Sequence, residues 1–338
     1  MTPHWPGRVR LVHGPTPIEP LPRLSRELGL EVSVKRDDLT GFGESGNKVR
    51  KLEFLVQDAL DQGADTLVTV GALQSNCARA TAAVAARLGL RCVLGLRGEC
   101  PPEADGNLLL ARLFGAETVF VPPDEVDAPD ALFARLCDDV RRAGGRPYVI
   151  PESGSNEIGA LGYAAFVAEL QAQIAAGTPA PDALVVSAWS GGSLAGLYLG
   201  QALFGFQAEV WGVPVAFEAE TIRDHVWATV HKAAARLGVE PSLDRGAIRL
   251  LDGYQGPGRS AVRPEELRTV VETARAAGVL LDPVYTAKAF LALLSEARRD
   301  GRRFGRRVLF VHTGGGFGVF PYRTPLTRLL DGESLADA

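Results

Sequence analysis

The chain has 338 residues, of which 46% are hydrophobic and 22% charged, and it carries a formal net charge of −4. That balance is ordinary for a globular protein and excludes a disordered or fibrous chain. A slightly acidic chain also lacks the global positive field that would hold nucleic acid or an anionic membrane.

The length fits one large α/β domain or two lobes. Apolar runs are broken by charge or glycine within about a dozen residues, so no bilayer span is expected. Met1–Arg10 lacks the apolar core of a secretory signal. Cys77, Cys92, Cys100 and Cys137 show no CxxC spacing, which signals neither a zinc site nor a disulfide framework. These features describe a soluble protein of a reducing, cytoplasmic compartment. Of the 36 basic residues only five are lysines, Lys35, Lys48, Lys51, Lys232 and Lys288, so amine chemistry has few candidates.

From about Glu53 onward short apolar strands alternate with amphipathic helices, the pattern of a parallel sheet. The expected elements are a helix over Val49–Ala59, a strand over Thr66–Val70, a helix over Ala78–Arg87 and a strand over Arg91–Leu96. A helix over Leu108–Phe114, a strand over Thr118–Val121, a helix over Phe133–Arg142 and a strand over Pro147–Ile150 follow. A long helix over Ile158–Ala175 leads to a strand at Ala183–Ser187, a helix at Leu194–Phe204 and a strand at Glu209–Val213. A helix at Glu265–Ala277, with Pro264 at its start, and a strand at Arg307–His312 complete the pattern. No repeat of solenoid length recurs. Alternation of this kind predicts an α/β architecture with helices on both sheet faces, in which ligands sit beyond the carboxyl ends of strands.

Three loops in such positions carry candidate chemistry. Ser187-Ala-Trp-Ser-Gly-Gly-Ser-Leu-Ala-Gly196 follows a strand and opens a helix, so Gly191 and Gly192 let a ligand approach the backbone while the helix N–H groups favour an anion such as phosphate. It matches neither a dinucleotide fingerprint nor a Walker A loop. Taken alone, it serves equally well as a tight turn built of small residues.

Gln74, Ser75 and Asn76 place three hydrogen-bonding side chains at another helix start, where they suit a substrate carboxylate. In isolation, the simpler account of Ser75 is an N-cap. Gly41-Phe-Gly-Glu-Ser-Gly-Asn-Lys48 delivers a lysine to a third helix start, where the positive helix end lowers its pKa and favours a nucleophilic amine. A solvated basic helix face accounts for Arg50 and Lys51 better than for Lys48. Tyr285 and Thr286 after a proline turn, and Thr313 at the end of the last strand, add polar groups among apolar neighbours; a buried tyrosine bonded within the core is the commoner fate. Neither GxSxG nor HExxH occurs.

Taken in order, Lys35-Arg-Asp-Asp38, Ser45-Gly-Asn-Lys-Val-Arg-Lys-Leu-Glu53, Gln74-Ser-Asn76, Ser190-Gly-Gly-Ser-Leu-Ala-Gly196, Asp282-Pro-Val-Tyr-Thr286 and His312-Thr-Gly-Gly315 resemble one family. It is the D-cysteine desulfhydrase / 1-aminocyclopropane-1-carboxylate (ACC) deaminase family of pyridoxal-phosphate enzymes, and the resemblance runs from His13 to Tyr322. It implies the tryptophan-synthase-β-like fold (fold type II of these enzymes), with two lobes each built on a mostly parallel sheet flanked by helices. Residues 1–48 and 155–338 would form the large cofactor-binding lobe, and residues 49–154 a small inserted lobe.

By position, the resemblance implies that Lys48 binds pyridoxal 5′-phosphate covalently, and that Ser190, Gly191, Gly192, Ser193 and Leu194 hold the phosphate. Asn76 would bond the ring hydroxyl oxygen and Thr313 the ring nitrogen. Gln74, Ser75 and Asn76 would face the substrate carboxylate, while Tyr285 and Tyr254 would face the reacting side chain.

The activity implied is β-elimination from a small amino acid, with D-cysteine the foremost candidate and cysteate or 3-chloroalanine variants of it. The ACC deaminases carry Glu after the tyrosine and Leu in place of Thr313, so Thr286 and Thr313 favour desulfhydrase-like chemistry. Cys77 stands where many desulfhydrase-like relatives have His, and Trp189 where the phosphate loop commonly begins with Gly. A cofactor-binding protein without turnover is the alternative of another class, and the intact Lys48, Ser75, Tyr285 and Thr313 weigh against it. The resemblance further implies a homodimer; no metal is implied.

Overall fold

Two β-strands from opposite ends of the chain pair within the larger sheet of this computed structural model, which describes residues 5–122, 129–241, 243–258 and 261–333. The first four residues of the N-terminal stretch considered above thus lie outside the described part. Ile18–Pro20 (β1) pairs antiparallel with Glu31–Lys35 (β2), and β2 pairs parallel with the late strand Arg307–Val311 (β10), placing Val34 opposite Phe310. Ala183–Ala188 (β7), Glu209–Pro214 (β8) and Arg249–Leu250 (β9) extend the sheet in the order β1-β2-β10-β7-β8-β9. The intervening chain builds a second, wholly parallel sheet from Thr66–Ala72 (β3), Arg91–Arg97 (β4), Glu117–Val121 (β5) and Pro147–Val149 (β6), in the order β5-β4-β3-β6. The expected α/β class with two mostly parallel sheets holds.

The helices are Pro22–Leu28 (α1), Asn47–Asp61 (α2), Asn76–Leu88 (α3), Gly106–Leu113 (α4), Pro129–Arg142 (α5), Glu157–Ala175 (α6), Gly192–Phe204 (α7), Ala219–Arg236 (α8), Pro264–Ala277 (α9), Thr286–Arg299 (α10) and Arg323–Leu330 (α11). Helices α1, α8, α10 and α11 are additional to those the sequence pattern predicts. For α8 a signal existed: Ile222, Val226, Val230 and Ala233 recur at helical spacing, and all four are buried.

Helix α6 is long and apolar enough to cross a bilayer by length and composition, contrary to the expectation from broken apolar runs. In the fold it is a core helix that packs on α2, α7 and α8. The packing is close. A Cβ on Gly162 of α6 would come within 2.2 Å of the Arg50 carbonyl oxygen of α2. Any larger residue there would push α2 outward.

Electrostatics seat α2 from the same side. Arg50 grips the Asp37 carboxylate through two bonds of 2.7 and 2.8 Å, and it donates to Glu169 on α6 at 3.0 Å. Lys35 reaches Glu169 and Gln173 at 2.6 Å each, and the Tyr163 hydroxyl donates to Asp37 at 2.9 Å. Burial alone would raise the Glu169 carboxyl, but hydrogen bonds and charge from Arg50 and Lys35 hold it at about 2. Arg50 and Lys51 are therefore not a solvated face; they are 3% and 1% exposed. Buried charges persist only when paired, and the pairs here lock the helix that begins one residue before Lys48.

Candidate active site

Lys48 projects from the first turn of α2 into a cavity between the ends of β3, β7 and β10. Backbone contact fixes that approach. Gly46, at φ +99°, packs so closely that a Cβ would lie 2.9 Å from the Thr313 carbonyl oxygen, and the Asn47 N–H donates to that same oxygen at 2.9 Å. The lysine loop and the Thr313 loop are thus joined. Among the described residues the Lys48 amine has no hydrogen-bond or ion-pair partner. Burial pushes its pKa down, against the pull of Cys77 and Glu152, so the neutral amine is favoured.

At one end of the cavity stand Ser190, Gly191, Gly192 and Ser193, at the start of α7. Among the described residues no side chain caps this helix start, where Gly191 adopts φ +82°, so its first N–H groups lack an intrahelical partner beside the cavity. A Cβ on Gly192 would sit 2.3 Å from the Ser155 hydroxyl and 2.9 Å from the Lys51 amine. Lys51 donates to the Ser153 carbonyl and the Ser155 hydroxyl at 3.1 Å each, and the Ser155 and Ser190 hydroxyls are 2.6 Å apart. Asn47 donates to Ser193 at 3.0 Å. Sequence reasoning missed Lys51, Asn47 and Ser155; the lysine at one helical turn from Lys48 was the available clue. Leu194, expected in this cradle, buries its side chain against Gly212 in the core.

The other walls divide the expected residues. Ser75 caps α3, accepting the Ala78 N–H at 3.1 Å, and also lines the cavity, so its stabilising and site-lining positions coincide. Asn76, Cys77, Trp189, Tyr285 and Thr313 line it as well. The Thr313 and Ser187 hydroxyls lie 3.1 Å apart. Burial raises the Tyr285 phenol, reinforced by the Asp282 charge, which keeps it a donor at neutral pH. Burial likewise raises the Cys77 thiol, opposed by Lys48 and Lys51. The Trp189 indole nitrogen is buried with no hydrogen-bond partner among the described residues, its ring set edge-on to Phe217 at 5.1 Å between centroids.

Two expected residues do not reach the cavity. Gln74 spends its amide on the start of α4, donating to the Asp105 carbonyl at 3.0 Å and accepting the Asn107 N–H at 2.9 Å. Tyr254 turns its hydroxyl to Glu296 at 3.0 Å. Thr286 is also absent, because its hydroxyl donates to the buried Asp282 at 2.7 Å, whose carboxylate also accepts the Tyr285 backbone N–H.

The lining is rich in donors and, among the described residues, free of carboxylates. It suits a ligand with an anionic group at the α7 end and further acceptors near Asn76 and Lys48. The family model described as "Pyridoxal-phosphate dependent enzyme" matches residues 9–314. The chain is 43% identical over 320 residues to a D-cysteine desulfhydrase of Yersinia enterocolitica, covering 93% of this chain and 96% of that one. A crystal structure of an ACC deaminase homologue superposes with a TM-score of 0.86 at 38% identity, covering 96% of both chains. A fungal L-serine ammonia-lyase from Rhizomucor miehei, at a TM-score of 0.68 and 17% identity over 96% of this chain, shares the fold.

The chain belongs to the pyridoxal-phosphate-dependent D-cysteine desulfhydrase / ACC deaminase family. The donor set fits the cofactor of this family. An uncapped helix start with a glycine cradle and a buried lysine matches a phosphate, and the unpartnered Lys48 amine matches an aldehyde carbon. The Thr313 and Ser187 hydroxyls offer a neutral partner to a ring nitrogen.

Proposed function

We propose that this chain is a lyase that eliminates the β-substituent of a small amino acid, with D-cysteine converted to pyruvate, sulfide and ammonia. One observation carries the choice within the family: no carboxylate lines the cavity among the described residues, and the residue after Tyr285 is a threonine committed to Asp282. The family resemblance implies that opening a cyclopropane ring goes with an acid at that position. A substrate that brings its own leaving group does not require one.

When bound, pyridoxal phosphate supplies an electron sink that makes the Cα proton of an attached amino acid acidic. The roles proposed for the chain follow from its chemistry. Lys51 and the N–H groups of Gly192 and Ser193 would hold the phosphate. Lys48, its amine favoured in the neutral form by burial, would hold the cofactor and take the Cα proton. The Ser75 hydroxyl would donate to the substrate carboxylate. Tyr285, kept protonated by burial, would donate to the departing sulfur. Thr313, a neutral hydroxyl, would leave the ring nitrogen without a counter-charge, which limits carbanion build-up and suits fast elimination over transamination.

The test is product analysis with D-cysteine, L-cysteine and ACC offered to the purified holoenzyme. Pyruvate and sulfide from D-cysteine, with no 2-oxobutyrate from ACC, are expected. Release of 2-oxobutyrate from ACC in preference to pyruvate from cysteine would overturn the assignment.

A further inference from the structure

Asn107, at the second residue of α4, is 1% exposed and does not line the cavity, yet one of its side-chain bonds goes to a residue that does. Its carbonyl oxygen accepts Arg79 Nε at 3.1 Å. Its amide nitrogen donates to the Gln74 carbonyl and to the Asn76 side-chain oxygen, both at 3.0 Å. These partners settle the orientation of the amide, because a guanidinium can only donate and a backbone carbonyl can only accept. The Asn107 oxygen must therefore face Arg79 and its nitrogen must face Gln74. The remaining N–H then selects the oxygen of Asn76, and the Asn76 NH₂ is left directed away from Asn107, without a hydrogen-bond partner among the described residues, in a residue that lines the cavity.

Arg79 is itself immobilised. It is fully buried, lies over the Phe317 ring at 5.4 Å, and donates to the carbonyls of Gly43 and Ser45 in the loop that carries Lys48. One chain of bonds thus runs from the lysine loop through Arg79 and Asn107 to Asn76.

We propose that Asn107, held by Arg79, is a positioning residue that fixes the Asn76 amide as a donor toward the cofactor, so that the site accepts a ring oxygen as a hydrogen-bond acceptor. The inference rests on the cofactor-dependent reading above. It commits the polarity of the cavity wall through a residue that touches neither cofactor nor substrate.

Asn107→Asp tests it. An aspartate keeps the acceptor for Arg79 but cannot donate to Asn76, so the Asn76 amide turns over to donate to it and presents its oxygen to the cavity. Two acceptors then face one another. The full-length chain, stripped of cofactor, is titrated with pyridoxal phosphate and the lysine-bound visible band is followed, in wild type, Asn107→Asp, Asn76→Ala and the double variant.

Asn107→Asp is expected to weaken cofactor binding by about tenfold, the loss of one hydrogen bond. It should also move the pH midpoint of the visible band in the direction that Asn76→Ala does. In the Asn76→Ala background the same change should cost less than about twofold, since coupling through one partner is non-additive. Equal losses in both backgrounds, or none in either, overturn the proposal. Asn107→Ala, which introduces no charge, is read by the same cycle if Asn107→Asp fails to fold; its loss must also vanish in the Asn76→Ala background. A wild-type chain that forms no visible band would instead overturn the cofactor-dependent reading itself.

Discussion

Replacing Glu169 by glutamine removes the charge that balances Arg50 and Lys35 beneath the lysine-bearing helix. The carboxylate lies 2.6 Å from Lys35 and 3.0 Å from Arg50, and its side chain is 18% exposed. Its pKa falls from 4.5 to about 2 in the folded chain. At 1.36 kcal/mol per pKa unit, that depression contributes about 3 kcal/mol of stability at neutral pH.

A depressed carboxyl pKa stabilises above the unfolded value, and the contribution is lost as pH falls through the folded value. The wild-type advantage over Glu169→Gln should therefore be about 3 kcal/mol at pH 7. It should shrink between about pH 4.5 and pH 2, and vanish below that range. Urea unfolding of both proteins across this range measures it, because the midpoint reports stability when the slope is unchanged. A gap that stays constant down to pH 2 would refute the reasoning, since a loss of packing alone does not titrate.

Two further outcomes follow from the cavity. Gly192→Ala places a methyl 2.3 Å from the Ser155 hydroxyl and 2.9 Å from Lys51, so cofactor affinity should drop by about a hundredfold while far-UV circular dichroism is unchanged; an unaltered affinity would show that the anion sits elsewhere. Glu152→Gln removes a negative charge that raises the Lys48 pKa, so the acid limb of the kcat profile, which reports the substrate complex in which Lys48 would be free to act as a base, should move to lower pH; a shift to higher pH, or none, would show that Glu152 does not act on Lys48.

Much of the strand and helix order was legible because the hydrophobic period switches between two and 3.6 along the chain. The phosphate-type loop at Ser190–Ser193 and Lys48 were legible for a related reason. A glycine-rich turn between strand and helix, and a lysine in a lysine-poor chain, are local signals. Local signals misled where the decisive partner is distant in sequence. Arg50 and Lys51 read as a solvated pair because Asp37, Glu169 and Ser155 cannot be placed beside them by spacing. Gln74 read as a substrate contact because its partners, Asp105 and Asn107, lie at the start of another helix. Tyr254, which only the family resemblance placed near the reacting side chain, has its hydroxyl held by Glu296.

Sequence alone determined which chemistry-bearing residues exist and which of them open helices: Lys48, Ser75 and the start of α7 are set by glycine, capping and periodicity, all short-range effects. Only the tertiary structure decided which way their side chains face. The orientation of Asn76 depends on Asn107, that of Asn107 on Arg79, and the burial of Lys51 on glycines that let α2, α6 and α7 touch backbone to backbone. Each of these is a contact between groups far apart along the chain, and a pairwise contact of that kind leaves no mark on the local pattern of either partner.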